Sequence, residues 1–420
     1  MNRVMKDSGI EWIGNIPQEW EIIKNKYVFK RRNNKVAENY INYQLLSLTK
    51  KGIVEKNLNE TGGKLPASFS TYQEVQKDDI VLCLFDLDVS AVFSGISKYH
   101  GMISSAYDIF KTNQDSIPDY YDYLFQIIGF DRLYLPFSKS LRKTINKENF
   151  NSIYTIKPPY NEQIKIVDFL NKSTMNINNI ITQTHQSIEE LKKYKQSLIA
   201  ESVTKGIDPN VEMKDSGIEW IDNIPRHWEI RSIGNHYFQV KDKNLLSQEE
   251  NLLSLSYGKI VKRNYHSADG LLPANFDNYI IVEPNDIVLR MTDLQNDHKS
   301  LRTGFVNESG IITSAYIILR PQKNQEFISK FIQLFLHSFD IYKGFYGMGS
   351  GVRQNVTFND IKKLKIILPP IIEQKQILRY LENKVSTIDK LIENKIKIIE
   401  ELENYKKSLI YEYVTGKKEV

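Results

Sequence analysis

The feature that most constrains this chain is a long helical segment that cannot be stable by itself. After the Pro158–Pro159 pair, more than forty residues up to Val203 contain neither proline nor glycine. Apolar residues recur there at alternating steps of three and four: Val167, Leu170, Ile177, Ile181, Ile188, Leu191 and Leu198. A period near 3.5 predicts a helix packed against a partner helix. Forty residues would extend about 60 Å.

The partner helix is predicted at the C-terminus, where the same register returns. Its apolar positions are Leu378, Leu381, Val385, Ile388, Ile392, Ile399, Leu402 and Leu409. The polar interruptions match as well, since Thr184 corresponds to Lys395 and Lys195 to Lys406. The two helices also end alike, in EELKKYKQSLIAESVTKG and EELENYKKSLIYEYVTGK. A match of this length indicates two copies of one unit.

Each copy opens with nearly the same segment. Residues 5–22 read MKDSGIEWIGNIPQEWEI, and residues 213–230 read MKDSGIEWIDNIPRHWEI. All four tryptophans of the chain lie in these segments: Trp12, Trp20, Trp220 and Trp228. Large rings in a repeated segment favour packing at the entrance of each domain over ligand binding.

The blocks between opening segment and helix have diverged but remain alignable. LPASFSTYQEVQKDDIVLCLFDL at 65–87 recurs as LPANFDNYIIVEPNDIVLRMTDL at 272–294. DIVLCLF, DIVLRMT and AYIILRP read as strands, whereas Asp119–Ile128 and Glu326–Phe339 have helical spacing. Each block ends in a basic loop, a short helix, a strand and Pro-Pro. The expected fold class is therefore α+β, with two repeated domains, each followed by a long helix, and the two helices packed on each other.

Composition and motifs exclude several classes of protein. The single cysteine, Cys83, rules out a disulfide framework, and the polar N-terminus together with the lack of an apolar run of eighteen residues predicts a cytoplasmic protein without a membrane span. No Walker loop occurs, none of the seven histidines forms a ligand motif, and KPPY at 157–160 lacks the acceptor residue of amino-methyltransferases. The paired carboxylates Asp79/Asp286 and Asp86/Asp293 are expected to cap turns. We therefore predict a protein that is not itself an enzyme and binds no metal or cofactor.

A net charge of +5 permits nucleic-acid binding if basic residues are concentrated on one face. Two loops before the Pro-Pro pairs could place small and basic residues against phosphate. Their candidates are Lys139, Ser140, Arg142 and Lys143 in the first copy, and Ser350, Gly351, Arg353 and Gln354 in the second. Candidates for reading bases lie where the copies differ: Lys98, Tyr99 and His100, then Arg290, Thr292, Gln295, Asn296, His298, Lys299 and Arg302.

With these segments in view, the chain resembles the DNA-specificity subunit of a type I restriction–modification system. The resemblance covers essentially the whole chain. It rests on the repeated opening segment, on PPxxEQ at Pro158–Gln163 and Pro369–Gln374, and on the helix ending ELxxYKxSLIxExVT. It implies recognition domains at 1–157 and 208–367, and spacer helices at 158–207 and 368–420 that pack as an antiparallel coiled coil. Each domain would read one half of a bipartite, asymmetric double-stranded DNA site.

The resemblance also implies partners. Two methyltransferase subunits would bind S-adenosylmethionine and methylate adenine, and two restriction–translocase subunits would use ATP and Mg²⁺. We expect the helix pair to set the gap between half-sites, so lengthening both helices by one turn should change the number of unspecified base pairs. Two alternatives remain open from the sequence. One is the specificity subunit of a methylating nuclease with one fused catalytic chain, and the other is a coiled-coil scaffold that binds proteins.

Overall fold

The structure is a computed structural model that describes residues 3–57, 68–90, 93–138, 141–245, 248–263, 275–294, 301–323, 327–348 and 355–420. It divides into two compact units. Unit 1 contains residues 1–185 and 396–420, and unit 2 contains residues 186–395. Each unit therefore combines one predicted domain with half of each long helix, because the apolar seam of each helix half is packed into that domain's core.

The elements of the first copy are β1 Met5–Asp7, β2 Asn15–Pro17, β3 Glu21–Lys24, β4 Phe29–Arg32, β5 Leu46–Thr49, β6 Gly52–Glu55, β7 Gln73–Val75, β8 Ile80–Leu82, β9 Ser94–Ile96, β10 Gly101–Ile103, β11 Asp108–Thr112, α1 Pro118–Phe130, α2 Lys147–Ser152, β12 Tyr154–Lys157 and α3 Tyr160–Lys205. Those of the second copy are β13 Met213–Ile218, β14 Ile221–Pro225, β15 Glu229–Ser232, β16 Tyr237–Gln239, β17 Leu253–Ser256, β18 Lys259–Lys262, β19 Ile280–Val282, β20 Ile287–Leu289, β21 Thr303–Phe305, β22 Gly310–Ile312, β23 Ile317–Pro321, α4 Ser329–Ile341, α5 Phe358–Ile361, β24 Lys365–Leu368 and α6 Ile371–Val414.

The two units share one topology. Unit 1 has an antiparallel sheet in the order β4-β11-β8-β9, and unit 2 has the same sheet as β16-β23-β20-β21. Four two-stranded pairs also correspond: β1-β2 with β13-β14, β3-β12 with β15-β24, β5-β6 with β17-β18, and β7-β10 with β19-β22. The internal repeat predicted from the sequence is thus confirmed strand by strand, together with the α+β fold class.

Within unit 1 the helices α3 and α6 pack antiparallel. The rings of Phe169 and Tyr413 lie 4.4 Å apart, and further along α3 the Lys406 ammonium donates to Asn178 at 3.0 Å. Seam residues such as Leu170 and Leu409 are buried in the same core as Phe29, Phe110 and Phe150. The predicted seam therefore packs against the partner helix and the domain at once.

Unit 2 repeats this arrangement with the other helix halves. Lys195 of α3 pairs with Asp389 of α6 at 2.5 Å, and Gly206 lies next to Glu373 near the start of α6. Leu198, Ile377, Leu381 and Ile388 are buried in one core with the phenylalanines of α4. The antiparallel pairing implied by the family resemblance is confirmed in this unit also.

The tryptophans have the packing role expected for them. Trp20 and Trp228 are fully buried, and each lies against the glycine that follows a long helix, Gly416 and Gly206 respectively. Both glycines have positive φ values of +69° and +78°, which end the helices at little steric cost. Trp12 and Trp220 are partly buried. The opening segment thus closes each unit against the end of a helix.

The PPxxEQ motif joins each domain to a helix start. The Gln163 side chain accepts from the Ile117 amide at 2.8 Å and donates to the carbonyls of Pro158 at 2.9 Å and Asp115 at 3.1 Å. Gln374 accepts from the Ile328 amide at 2.8 Å and donates to Pro369 at 2.8 Å. Sequence analysis recognised this motif but not its role, which is to satisfy buried backbone groups where α1 and α4 begin.

We expect Gln163→Ala to lower the free energy of unfolding of unit 1 by about 2 kcal/mol, because it leaves buried backbone partners unsatisfied. Gln374→Ala should have a similar effect on unit 2. Urea unfolding monitored by tryptophan fluorescence measures both, since Trp12 and Trp20 report unit 1 and Trp220 and Trp228 report unit 2. Gln186→Ala, on the exposed surface of α3, is the matched control. Equal midpoints for Gln163→Ala and this control would contradict the assignment.

Candidate nucleic-acid interface

Three segments meet at one end of each unit, which we call the loop end. In unit 1 they are the β5–β6 turn, the segment after β8 and the loop before α2. The Ile145 amide donates to the Leu84 carbonyl at 2.8 Å, and the Asp86 amide donates to the Arg142 carbonyl at 2.8 Å. A β-carbon on Gly95 of β9 would contact Leu48 and Gly52, which places the β5–β6 turn beside the strand that returns from the same end.

Arg142 lies at this junction, and its guanidinium is exposed to solvent but held in place by an ion pair. It pairs with Asp86 through both oxygens, at 3.1 Å from Nε and 2.8 Å from Nη2. Asp86 and Lys143 both have positive φ values, +50° and +47°, and the Arg142 side chain is 73% exposed. The hydrogen bonds from Arg142 lower the pKa of Asp86. The predicted phosphate ligands Arg142 and Lys143 are thus held at the surface by backbone and ion-pair contacts.

The loop end of unit 2 is organised by Arg302, whose side chain is completely buried. Its Nη1 donates to the carbonyls of Arg290 at 3.1 Å and Thr292 at 3.0 Å, and its Nε donates to the Tyr346 hydroxyl at 3.2 Å. Its backbone amide donates to Asp340 at 2.7 Å. The expectation that Arg302 contacts a base is therefore wrong for this structure, because the guanidinium fixes the loop from inside.

Arg290 and Thr292 remain candidates, since both are only partly buried in the segment that Arg302 holds. Next to them, Asp293 has a positive φ of +57° like its counterpart Asp86. Its amide donates to the Asn355 side chain at 3.1 Å, and the Val356 amide donates to the Met291 carbonyl at 3.0 Å. Unit 2 therefore joins the segment after β20 to the loop before α5, as unit 1 joins the corresponding segments.

Lys98 and Tyr99 lie at the opposite end of β8 from Arg142. The Asp78 amide, which precedes β8, donates to the Ser97 carbonyl at 2.8 Å, whereas the Asp86 segment follows β8. Tyr99 packs partly against the core beneath the sheet, and Lys98 is exposed. The structure thus does not bring these two residues together with the basic loop.

Ten predicted contact residues lie outside the described residues: Lys139, Ser140, Gln295, Asn296, His298, Lys299, Ser350, Gly351, Arg353 and Gln354. They stay predictions. The β5–β6 and β17–β18 turns, in contrast, are described and were missed by sequence analysis. Lys50 and Lys51 occupy the first turn and Tyr257 and Gly258 the second. An X-Gly pair between two alternating segments is a hairpin signal that could have identified the second turn.

The helices beneath the loop ends carry different ionisable groups. In α1, burial raises the pKa of Asp122 to about 6. In α4, burial lowers the pKa of His337 to about 4 and that of Lys330 below its usual value. His337 Nδ1 lies 3.4 Å from the Thr303 hydroxyl at the start of β21. The helices under the two loop ends therefore differ in the ionisable side chains that they bury.

The remaining carboxylate pair has a structural role. Asp79 caps the turn before β8 by accepting from the Gln76 amide at 2.8 Å and pairs with Arg32 at 2.9 Å. Asp286 likewise accepts from the Glu283 amide and pairs with Arg320, both at 2.8 Å. Turn capping is confirmed for these two, whereas Asp86 holds Arg142. Among the described residues, no cluster of His, Cys, Asp or Glu could hold a metal ion, and no helix is long and apolar enough to cross a membrane.

Comparison with known proteins gives concordant matches. Residues 225–404 match the family model of the type I restriction modification DNA specificity domain. The type I restriction enzyme MjaX specificity subunit of Methanocaldococcus jannaschii is 26% identical over 415 residues, which cover 90% of this chain and 89% of that protein.

Two solved structures share the fold across almost the whole chain. One comes from a study of complex assembly and conformational transition in the type I R-M system, with a TM-score of 0.69 at 13% identity, and covers 96% of this chain and 99% of its own. The other is the HsdS subunit of Thermoanaerobacter tengcongensis, with a TM-score of 0.53 at 14% identity, and covers 96% and 98%. Residues 225–404 thus carry a type I restriction modification DNA specificity domain, and over nearly its whole length the chain is similar to type I DNA-specificity subunits.

Proposed function

We propose that each unit reads one half of a bipartite, asymmetric DNA site, and that the chain directs adenine methylation and restriction carried out by partner subunits. One observation carries this proposal. The two units share their topology strand by strand, but their loop ends present different side chains. Unit 1 offers Lys50, Lys51, Arg142 and Lys143, and unit 2 offers Tyr257, Arg290 and Thr292.

Two domains that recognise different DNA sequences require this combination of a shared fold and different surface side chains. A shared framework positions both loop ends in the same way within their units, while basic and polar groups that differ select different bases. Lysine and arginine neutralise phosphates in both units, which makes DNA binding salt-dependent. A protein-binding scaffold has no need for basic side chains at equivalent loop ends.

The partners follow from the same proposal. Two methyltransferase subunits, which bind S-adenosylmethionine, would associate with the chain, and two restriction–translocase subunits that use ATP and Mg²⁺ would complete the assembly in the cytoplasm. This chain would supply recognition, and the reacting groups would belong to its partners. The duplicated opening segments and helix ends support a pair of identical partners, because each occurs twice with nearly the same sequence.

The domain exchange that tests this proposal has natural boundaries. In unit 1, Glu21 of β3 pairs with Lys157 of β12, so the first and last residues of the recognition block are neighbours. Glu229 and Leu368 pair in the same way in unit 2. A block from another family member can therefore replace either segment without moving the chain ends that receive it.

We expect exchange of Glu21–Lys157 to change one half of the methylated motif and leave the other half unchanged. Long-read detection of methylated adenines, in cells that express the chain with its methyltransferase, measures both halves. Exchange of Glu229–Leu368 is the reciprocal control and should change only the other half. A change in both halves from a single exchange would reject the modular reading, and DNA binding that does not respond to salt would favour a scaffold.

A further inference from the structure

The β17–β18 turn of unit 2 holds an aromatic residue, Tyr257, in a backbone conformation that aromatic residues disfavour. Ser256 pairs with Lys259, which leaves Tyr257 and Gly258 as the two turn residues. Their φ values are +46° and +77°, a two-residue turn in which both positions are left-handed. Asparagine and glycine suit such turns, whereas a tyrosine β-carbon is strained there.

Packing does not account for this tyrosine, since Tyr257 is 87% exposed. Its neighbour Gly258 is closely packed, because a β-carbon there would lie 3.3 Å from both the His337 ring and Leu301. Leu301 directly precedes Arg302, the buried residue that fixes the Arg290–Thr292 segment. The Tyr257 side chain thus projects into solvent from a turn that is packed against the loop end.

The surroundings of Tyr257 suit a polyanion. Lys259 is exposed beside the turn, and Lys262 on the same strand keeps a side chain 65% exposed while pairing with Glu308 at 2.8 Å. The equivalent turn of unit 1 carries Lys50 and Lys51, and its positive φ of +88° falls on Gly52 instead. The β5–β6 turn, which carries lysines, therefore has its positive φ on a glycine without backbone strain, whereas the β17–β18 turn has a positive φ on a tyrosine.

We propose that Tyr257 is a specificity-determining residue, which the β17–β18 hairpin inserts into the major groove so that its ring contacts a base edge in the half-site read by unit 2. This inference rests on the proposed function and adds a reading residue to it. A two-stranded ribbon fits the major groove. An aromatic ring there can pack on a thymine methyl while its hydroxyl donates or accepts a hydrogen bond. Strained residues at exposed positions are retained where a ligand uses them.

The test compares the full chain, assembled with its methyltransferase, with its Tyr257→Gly variant. Glycine accepts the left-handed conformation, so we expect thermal stability to stay the same or rise. Affinity for the cognate duplex should fall about 10-fold, the scale of one lost aromatic contact with a base. The methylated motif should relax at one or two positions within a single half-site. Tyr27→Ala removes another largely exposed ring, 61% accessible, away from the loop end of unit 1, and should change none of these readouts.

The outcomes separate the two ideas. If the parent assembly methylates a defined motif and Tyr257→Gly retains both its affinity and its motif, Tyr257 does not read DNA, and only the inference fails. If the parent assembly shows no salt-dependent DNA binding, the proposed function itself fails. Lys50→Gly in unit 1 provides a further check, since its effect should fall on the other half-site.

Discussion

Replacement of Arg302 by alanine is expected to lower the free energy of unfolding of unit 2 by about 3 kcal/mol or more. The substitution leaves two backbone carbonyls and the Tyr346 hydroxyl without their buried donor and opens a cavity. The Arg290–Thr292 segment loses its attachment, so recognition by unit 2 should be lost as well. Urea unfolding and DNA titration measure the two effects.

Arg142→Ala is the matched comparison, because sequence analysis predicted DNA contact for both arginines, with phosphate for Arg142 and with a base for Arg302. Its side chain is mostly solvent-exposed, so we expect no measurable change in unfolding. DNA binding should weaken, and the slope of log K against log salt should fall by about one, as for a lost phosphate contact. Equal stability of the two variants would show that Arg302 does not hold its loop. An unchanged salt slope for Arg142→Ala would show that Arg142 does not touch phosphate.

The second large effect concerns the spacing of half-sites. Duplicating Ile181–Thr184 in α3 and Ile392–Lys395 in α6 adds one turn, about 6 Å, to each helix. The added turns correspond by register, so the pairings of Lys406 with Asn178 and of Lys195 with Asp389 are preserved on either side. If the helix pair sets the gap, the methylated motif should gain one or two unspecified base pairs, at about 3.4 Å each.

Both half-site sequences should stay unchanged in this double insertion, which distinguishes a longer spacer from a damaged domain. Duplication in α3 alone is the control. This single duplication shifts the apolar seam residues on one side of the insertion by one turn relative to α6. It should therefore abolish assembly or methylation. A double insertion that methylates the original motif with its original gap would refute the spacer hypothesis.

Repetition made much of the fold predictable. The matching registers identified α3 and α6, and the proline pairs placed their starts within two residues of Tyr160 and Ile371. Predicted helices at 119–128 and 326–339 became α1 and α4. The division into two units was harder to predict. An apolar seam shows that a helix has a partner, but it does not show which half of the helix packs into the core of which domain.

The site was harder to predict for a different reason. Arg302 and Arg142 both follow strand-rich segments and look alike in sequence, yet one donates to buried carbonyls and the other faces solvent. Lys98 was predicted because the two copies differ near the end of its strand, but the sequence alone does not show at which end of the sheet that strand finishes. Tyr257 was overlooked because an aromatic residue in a turn signals nothing until its backbone conformation is known.

The last residues of the chain have a consequence for how the protein is made. Tyr411 donates to the Trp12 carbonyl at 3.0 Å, and Tyr120 donates to the Val414 carbonyl at 2.7 Å, so unit 1 is completed only by residues 396–420. Unit 2, in contrast, is one uninterrupted stretch. All residues of unit 2 are therefore synthesised as one block, whereas the core of unit 1 stays open until residues 396–420, with Leu409, Ile410 and Val414, have been added.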